Sequence, residues 1–136
     1  MESNCIVLAD KNQSILEGLR GLLETLFEGV VMVADQPSLI EALNKIKPKI
    51  AVVDLSLLGN GELSTASEFH KHFPDIKIII LSDYDESNIA AEVMSAGVSG
   101  FVIKRYAGTD LFDAIQSVQT GQTYVSPAVK KYDIQK

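Results

Sequence analysis

Five short runs of apolar residues, each containing Val or Ile, recur along the chain and are separated by longer segments of mixed polarity. The runs cover residues 6–9, 30–34, 50–53, 76–81 and 101–103. Runs of this length and composition are typical of strands that are buried on both faces of a parallel sheet. We therefore predict five buried strands.

The segments between the runs carry apolar residues at helical spacing. The two clearest segments place their apolar residues on one face, at Ile15, Leu16, Leu19, Leu22, Leu23 and Leu26, and at Leu39, Ile40, Leu43 and Ile46. Three further helices are predicted at 62–73, 86–96 and 109–120, with Gly97, Gly100 and Gly121 near their ends. The alternation of strand and helix predicts an α/β fold, a doubly wound parallel sheet with helices on both faces.

Composition indicates one compact domain whose own surface does not bind nucleic acid. The chain has 136 residues, 46% of them hydrophobic, and a formal net charge of -6, which argues against a surface that binds phosphate backbone. The single cysteine, Cys5, lies in an apolar run, so we expect a buried thiol, no disulfide framework and a reducing compartment. We see no signal peptide or membrane span and expect a cytoplasmic protein without a membrane partner.

Polar residues follow four of the predicted strands, at the edge where open α/β sheets bind their ligands. They are Asp10, Asp54, Ser82 and Lys104. Taken alone, Asp54 is explained equally well as a helix cap or as a reactive carboxylate. An Asp beside a hydroxyl group and a Lys is a reasonable acceptor for a phosphoryl group, and Asp10 could help to hold a divalent cation.

Four motifs at these strand ends occur in the order found in response-regulator receiver domains of two-component signalling. They are Val7-Leu8-Ala9-Asp10, Asp54-Leu55-Ser56 with Gly59 to Gly61, Ile80-Leu81-Ser82, and Gly100-Phe101-Val102-Ile103-Lys104. The chain resembles this family over nearly its whole length. Residues 16–20 and 121–127 are similar to the NarL/FixJ/LuxR-type subfamily, whose receivers precede a helix-turn-helix output domain.

The resemblance implies a flavodoxin-like (CheY-like) parallel sheet of five strands in the order 2-1-3-4-5, with five helices. It implies a receiver at residues 1–121 and a C-terminal linker or tail at 122–136, with the output domain absent. The face formed by the fourth helix, fifth strand and fifth helix would be the signalling surface and a candidate homodimer contact. DNA would be reached only through the missing output domain, and the resemblance implies control of transcription as the output.

The resemblance also implies roles for individual residues. Asp54 would be the phosphoacceptor for a sensor histidine kinase, and Lys104 would pair with the phosphoryl group. Ser82 would move to donate a hydrogen bond to a phosphoryl oxygen, and Phe101 would be the aromatic residue that rotates inward with it.

A divalent cation, Mg²⁺, would lie among Asp10, Asp54 and the backbone carbonyl of Ser56 by the same resemblance. The sequence departs from the family at Lys11, where a second acid usually binds the metal, and at Leu58, where the family has Pro. Asp10, Asp54, Lys11 and Lys104 together carry a formal charge of zero, whereas the family's usual three carboxylates and one Lys carry -2. Because Mg²⁺ requires oxygen ligands in near-octahedral geometry, we expect weak or absent binding.

Two hypotheses account for Lys11. In the first, Lys11 partly replaces the metal by pairing with Asp54. In the second, Lys11 points into solvent and a substitute ligand comes from the following loop, at Asp83, Asp85 or Glu86.

The main alternative function is a pseudo-receiver that signals through protein contacts without phosphorylation, because Lys11 replaces a metal-binding Asp. FMN binding is disfavoured because residues 10–14 contain no glycine, which a phosphate-binding loop needs. An aspartyl phosphatase would usually have an acid where Ser56 stands. We therefore do not expect a conventional enzyme, and at most self-catalysed phosphoryl acceptance and autodephosphorylation.

Overall fold

The computed structural model describes residues 4–58 and 65–129, which form a parallel sheet between two layers of helices. The strands are β1 (Cys5–Ala9), β2 (Gly29–Val33), β3 (Ile50–Asp54), β4 (Lys77–Ser82), β5 (Gly100–Ile103) and β6 (Tyr124–Val125). The helices are α1 (Gln13–Glu24), α2 (Gln36–Ile46), α3 (Ala66–His72), α4 (Ser87–Ser95) and α5 (Ala107–Gln119). The glycine-rich turn at 59–61, the predicted helix start at 62 and the tail from 130 lie outside the described residues.

The sheet has six strands in the order β2-β1-β3-β4-β5-β6, so the prediction of five strands was wrong. The order of the first five strands, the five helices and the flavodoxin-like fold are confirmed. The additional strand pairs Gly100 with Tyr124 and Phe101 with Val125. A strand of two residues is too short to appear as an apolar run, and this one comes from the segment predicted as linker or tail.

Side chains from the sheet alternate between two apolar cores, as expected for strands covered on both faces. One core packs the sheet against α1 and α5, and its buried members on these helices are Leu16, Leu19, Leu23, Ala107, Leu111, Ala114, Ile115 and Val118. The other packs the sheet against α2, α3 and α4, through Leu39, Ala42, Leu43, Phe69, Ala90 and Val93. Each fully buried aliphatic or Phe side chain stabilises the fold by about 1.5–3 kcal/mol, so the two cores hold the strand ends in a fixed arrangement.

Two of the three glycines predicted near helix ends follow helices with positive φ, whereas the third, Gly100, is the first residue of β5. Gly97 follows α4 with φ 102° and Gly121 follows α5 with φ 88°. At Gly97 a Cβ atom would also lie 2.6 Å from His70 Cδ2, so the close packing of α3 against this turn requires glycine. None of the helices described in residues 4–58 and 65–129 is long and apolar enough to cross a membrane.

Candidate functional site

Asp10, Asp54 and Lys104 meet at the carboxyl edge of the sheet, where β1, β3 and β5 end. The Lys104 Nζ atom lies 3.1 Å from Asp10 Oδ2 and 3.1 Å from Asp54 Oδ1. Both carboxylates are buried, and the Lys104 side chain is only 12% exposed. The structure therefore brings together three of the residues predicted for the site, with one ammonium group bridging two carboxylates. We call these three residues the acidic pocket.

Asp10 is fixed by the tight turn that begins α1. Its Oδ1 atom accepts a hydrogen bond of 2.9 Å from the backbone N–H of Asn12. The Asn12 side chain in turn caps α1, accepting hydrogen bonds from the N–H groups of Ser14 at 2.9 Å and Ile15 at 3.3 Å. One short segment thus both starts the helix and orients the Asp10 carboxylate.

Asp54 is held by Ser56, two residues further along the chain, in the 3-10 turn Leu55–Leu58. The Ser56 hydroxyl donates a 2.7 Å hydrogen bond to Asp54 Oδ2, and the Ser56 N–H lies 3.3 Å from Oδ1. The sequence analysis assigned a role to the Ser56 backbone carbonyl and did not predict this hydrogen bond from the Ser56 hydroxyl. The available signal was the Asp-x-Ser spacing, since Asp side chains commonly accept hydrogen bonds from the residue two positions on.

Burial and ion pairing act in opposite directions on the acidic pocket. Burial raises the pKa of Asp10, and the Asn12 N–H and the Lys104 ammonium only partly oppose it. Burial alone would lower the pKa of Lys104, but its hydrogen bonds to Asp10 and Asp54 outweigh this and raise it. At an effective dielectric of 20, each contact of the ammonium with a carboxylate contributes about 5 kcal/mol before the cost of desolvation.

The acidic pocket offers oxygen ligands, the type that a hard divalent cation prefers, but it offers few of them. Asp10 Oδ2 is buried, and the Lys104 ammonium at 3.1 Å contacts it without the alignment of a well-formed hydrogen bond. Carboxylate and backbone carbonyl oxygens, as predicted at Asp54 and Ser56, are the ligands that Mg²⁺ prefers. Within residues 4–58 and 65–129, however, no three or more His, Cys, Asp or Glu residues form a metal-binding group. The residues therefore fit Mg²⁺ by donor type, with Lys104 competing for the same oxygens.

Lys11 lies outside the acidic pocket. Its side chain is exposed, and it takes part in no ion pair within the described part of the chain. The ion pair of Lys11 with Asp54 that the first hypothesis required is not formed, because the Lys104 ammonium already lies between the carboxylates. The acidic pocket therefore has a formal charge of -1, from two carboxylates and one ammonium group, instead of the predicted zero.

The three candidate substitute ligands differ in position. Asp83 is 71% exposed and its Oδ2 atom lies 4.0 Å from Lys104 Nζ, at the rim of the acidic pocket. Asp85 Oδ2 accepts a 2.8 Å hydrogen bond from Arg105. Glu86 is the N-cap residue of α4, where its side chain makes no capping hydrogen bond and its Oε1 atom is buried.

Ser82 and Phe101 lie on the neighbouring strands β4 and β5. The buried Ser82 hydroxyl accepts a 2.9 Å hydrogen bond from the Tyr84 N–H and lies 3.3 Å from the Tyr84 carbonyl oxygen. It is therefore bonded to its own loop. The Phe101 side chain is fully buried in the core beneath α2, α3 and α4. Their roles in switching stay predictions.

Ser126 is a buried polar residue whose position the sequence did not reveal. Its hydroxyl donates a 2.9 Å hydrogen bond to Asp110 Oδ2 and accepts one of 3.0 Å from the Ile103 N–H. Ile103 immediately precedes Lys104, so this contact lies one residue from the acidic pocket. The only signal in the sequence was the short pair Tyr124-Val125 before Ser126-Pro127.

The fold and site define a doubly wound α/β domain with an acidic pocket at the carboxyl edge of its sheet, and comparison with known proteins agrees. The family model described as response regulator receiver domain matches residues 6–116. Transcriptional regulatory protein DegU of Brevibacillus brevis is 27% identical over 126 residues, which are 91% of this chain and 53% of DegU.

Solved structures of RcsB are similar throughout the fold. The isolated receiver domain of RcsB from Salmonella enterica serovar Typhimurium, with the phosphomimetic BeF3-, has a TM-score of 0.81 at 27% identity and covers 94% of this chain and 96% of that one. A structure of two RcsB dimers bound to two parallel DNAs has a TM-score of 0.79 at 28% identity, covering 94% of this chain and 66% of that one.

The chain belongs to the response regulator receiver domain family. Its relatives are response regulators of the NarL/FixJ/LuxR type, which confirms the predicted subfamily. The chain spans about half the length of the curated relatives it matches, 53% of DegU and 56% of the response regulator UvrY.

Proposed function

We propose that the chain is the receiver of a two-component phosphorelay and accepts a phosphoryl group on Asp54 from a sensor histidine kinase. The observation that carries this proposal is the buried Asp54 carboxylate, which lies at the end of β3 in contact with Lys104 and Ser56. A buried carboxylate needs such partners to remain ionised, and an ionised carboxylate is the nucleophile the reaction requires.

In the proposed transfer, an Asp54 carboxylate oxygen attacks the phosphorus atom of a phosphohistidine. The P–N bond breaks, its electron pair returns to the imidazole nitrogen, and an acyl phosphate forms on Asp54. Negative charge on the transferred oxygens is stabilised mainly by positioned cations. Lys104, which already contacts Asp54 Oδ1, is placed to supply that charge. Attack of water on the same phosphorus atom would return free phosphate and Asp54.

Asp10, Asp54 and the backbone carbonyl of Ser56 are the residues that would hold Mg²⁺. When bound, the cation would supply positive charge that offsets the charge of the phosphoryl group. We expect weak binding because the pocket has two carboxylates and both already contact Lys104. The exposed Lys11 opposes the cation only at longer range, where solvent screens the interaction.

Signal output would begin at Ser82 and Phe101. The Ser82 hydroxyl would leave the Tyr84 N–H for a phosphoryl oxygen, and Phe101 would repack with the shift. These residues lie on β4 and β5, next to the face formed by α4, β5 and α5, which we propose as the signalling surface. DegU is a transcriptional regulatory protein and RcsB binds DNA as dimers, which supports transcription, homodimerisation and an output domain as the means of DNA contact.

The proposal is tested by incubating the chain with acetyl phosphate, with and without Mg²⁺, and measuring the intact mass. We expect the unmodified sequence to gain one phosphoryl group and Asp54→Asn to gain none. Asp75→Asn is the control, because it removes an exposed carboxylate that lies just before β4, at the opposite edge of the sheet. A mass gain retained in Asp54→Asn would show that the site lies elsewhere, and loss of the modification in both variants would show that charge in general, and not Asp54 itself, is responsible.

One observation favours the pseudo-receiver as the second candidate. Lys11 and Leu58 stand where the family has a second acid and Pro, and both carboxylates of the acidic pocket already contact Lys104. This candidate predicts no mass gain under any of these conditions.

A further inference from the structure

After α5 the chain returns to the sheet and packs along the outer edge of β5. We call residues 122–129 the strap. The Tyr124 N–H donates a 3.0 Å hydrogen bond to the Ser99 carbonyl, and the Ser126 N–H donates one of 2.9 Å to the Phe101 carbonyl. Val129 is buried in the core on the side of α2 to α4. The strap is thus an integral part of the folded domain and covers the edge of β5.

A single side chain fastens the strap on two sides. The Ser126 hydroxyl has one proton, which it donates to Asp110 in the first turn of α5, and its oxygen accepts from the Ile103 N–H of β5. Ser126 is 2% exposed, so water is excluded from replacing either bond. Without the hydroxyl, the Ile103 N–H would be buried without a partner, which folded proteins avoid.

The strap contacts the two positions of β5 that matter for the proposed switch. Ile103 is covalently joined to Lys104, whose ammonium contacts both carboxylates of the acidic pocket. Phe101, the proposed switch residue, is bonded to the strap through its carbonyl group. The end of β5 is therefore held from inside by ion pairs and from outside by Ser126.

We propose that the strap is a latch that reports the state of Asp54 to the chain following residue 129, with Ser126 as a positioning residue for Lys104. The part played by phosphorylation rests on the function proposed above. When the Lys104 ammonium shifts from Asp10 toward a phosphoryl group on Asp54, the backbone at 103–104 moves with it. This movement lengthens the bond from the Ile103 N–H to Ser126 and loosens the strap.

The positioning role is tested by NMR on the unphosphorylated chain. Ser126→Ala is expected to speed amide hydrogen exchange at Ile103 about tenfold and to shift the Lys104 side-chain ammonium signal. Asp110→Ala should produce the same changes more weakly, while Asp110→Asn, which keeps an oxygen acceptor, should restore both signals. Ser67→Ala, an exposed serine on α3, is the control and should change neither. If Ser126→Ala speeds amide hydrogen exchange in the strap but leaves the Lys104 ammonium signal unchanged, Ser126 only stabilises the fold, and its positioning role for Lys104 is overturned.

The coupling to Asp54 is tested by adding beryllofluoride with Mg²⁺ to the full chain. We expect the amide signals of Asp54 and Ser56 to change and the amides of Tyr124, Ser126 and Val129 to exchange several-fold faster. A response at Asp54 with unchanged exchange in the strap would overturn the latch and leave the proposed function standing. No change in the amide signals of Asp54 and Ser56 would instead contradict the proposed function. It would also contradict a latch that phosphorylation releases.

Discussion

Lys11 and Lys104 both follow strands that end at the same edge of the sheet, yet only one belongs to the acidic pocket. Lys104 is largely buried and contacts Asp10 and Asp54 at 3.1 Å, whereas Lys11 is exposed and forms no ion pair within residues 4–58 and 65–129. Lys11 is the immediate neighbour of Asp10 in sequence, and Lys104 is far from both acids. Neighbourhood in sequence therefore does not decide which cation neutralises a buried carboxylate.

The difference has a backbone cause. Asp10 and Lys11 both follow Ala9, the last residue of β1; the Asp10 carboxylate is buried, whereas the Lys11 side chain is exposed. Asn12 fixes this arrangement by bonding Asp10 Oδ1 through its N–H and capping α1 with its side chain. Lys104 begins the 3-10 turn after β5 and extends across the edge toward β1 and β3.

The largest expected effect comes from removing the buried cation. Lys104→Met should lower the free energy of unfolding by about 3 kcal/mol at pH 7, because two buried carboxylates lose their only ammonium partner in the pocket. Urea unfolding measures the change. Lys11→Met is the matched control and should change stability by less than about 0.5 kcal/mol. Similar losses in the two variants would contradict the division between these lysines.

A second variant sharpens the comparison by changing the sign of the exposed charge. Lys11→Asp should strengthen Mg²⁺ binding about tenfold or more, because it places an acid next to Asp10, at the position where the family usually has a second metal-binding carboxylate. Titration of Mg²⁺ followed by NMR shifts gives the affinity. Lys77→Asp makes the same charge change at the amino end of β4, the opposite edge of the sheet. An equal increase in Mg²⁺ affinity in both variants would mean that the net charge of the protein alone determines how tightly the cation binds.

A smaller effect is expected from neutralising Asp10. Burial holds the pKa of Asp10 above its ordinary value of 3.8, so its ionised form disfavours the folded state. The stability that protonated Asp10 provides is complete below that value and is lost as pH rises through the raised pKa. In metal-free buffer, Asp10→Asn should therefore unfold at higher urea than the unmodified chain at pH 7, with the gain shrinking toward low pH.

Asp83→Asn provides the contrast for this pH dependence, since Asp83 is largely exposed. Its stability should follow that of the unmodified chain across the same range of pH. A loss of stability in Asp10→Asn at pH 7 would show that the ion pair with Lys104 outweighs the cost of burying the carboxylate.

The smallest predicted change concerns the hydroxyl beside the phosphoacceptor. Ser56→Ala removes the 2.7 Å hydrogen bond to Asp54 Oδ2 and should cost about 0.5–1 kcal/mol of unfolding free energy, since Ser56 is exposed and water can replace the donor. Ser67→Ala should leave stability unchanged under the same urea titration. A loss of unfolding free energy larger than that of Lys104→Met would contradict the account, because it would make Ser56 and not Lys104 the main support of Asp54.

Strand ends were predictable from the sequence because buried parallel strands are continuous apolar runs, and the residues after them must meet at one edge. This reasoning brought Asp10, Asp54, Ser82 and Lys104 to the same place. It did not give side-chain direction, so it treated Lys11 as a candidate partner for Asp54. Which of Asp10 and Lys11 is buried depends on the turn that Asn12 closes, and the spacing of apolar residues gives no information about those hydrogen bonds.

The strap was missed for a related reason. Its strand has two residues, one half-buried and one exposed, and such a pair has no periodicity to detect. Its position depends on Ser126, whose partners Ile103 and Asp110 are distant in sequence and become neighbours only once α5 has packed on the sheet. The pattern of apolar residues along the sequence does not predict such long-range contacts of single polar side chains.

The central claim is that Asp54, supported by Lys104, receives the phosphoryl group, and the most direct test is to identify the modified residue. After treatment with acetyl phosphate and Mg²⁺, borohydride reduces an aspartyl phosphate to homoserine, which tandem mass spectrometry locates in the sequence. We predict homoserine at position 54 alone, with its yield strongly reduced in Lys104→Met and retained in Lys11→Met. Homoserine at another position, or none in the unmodified chain, would contradict the claim.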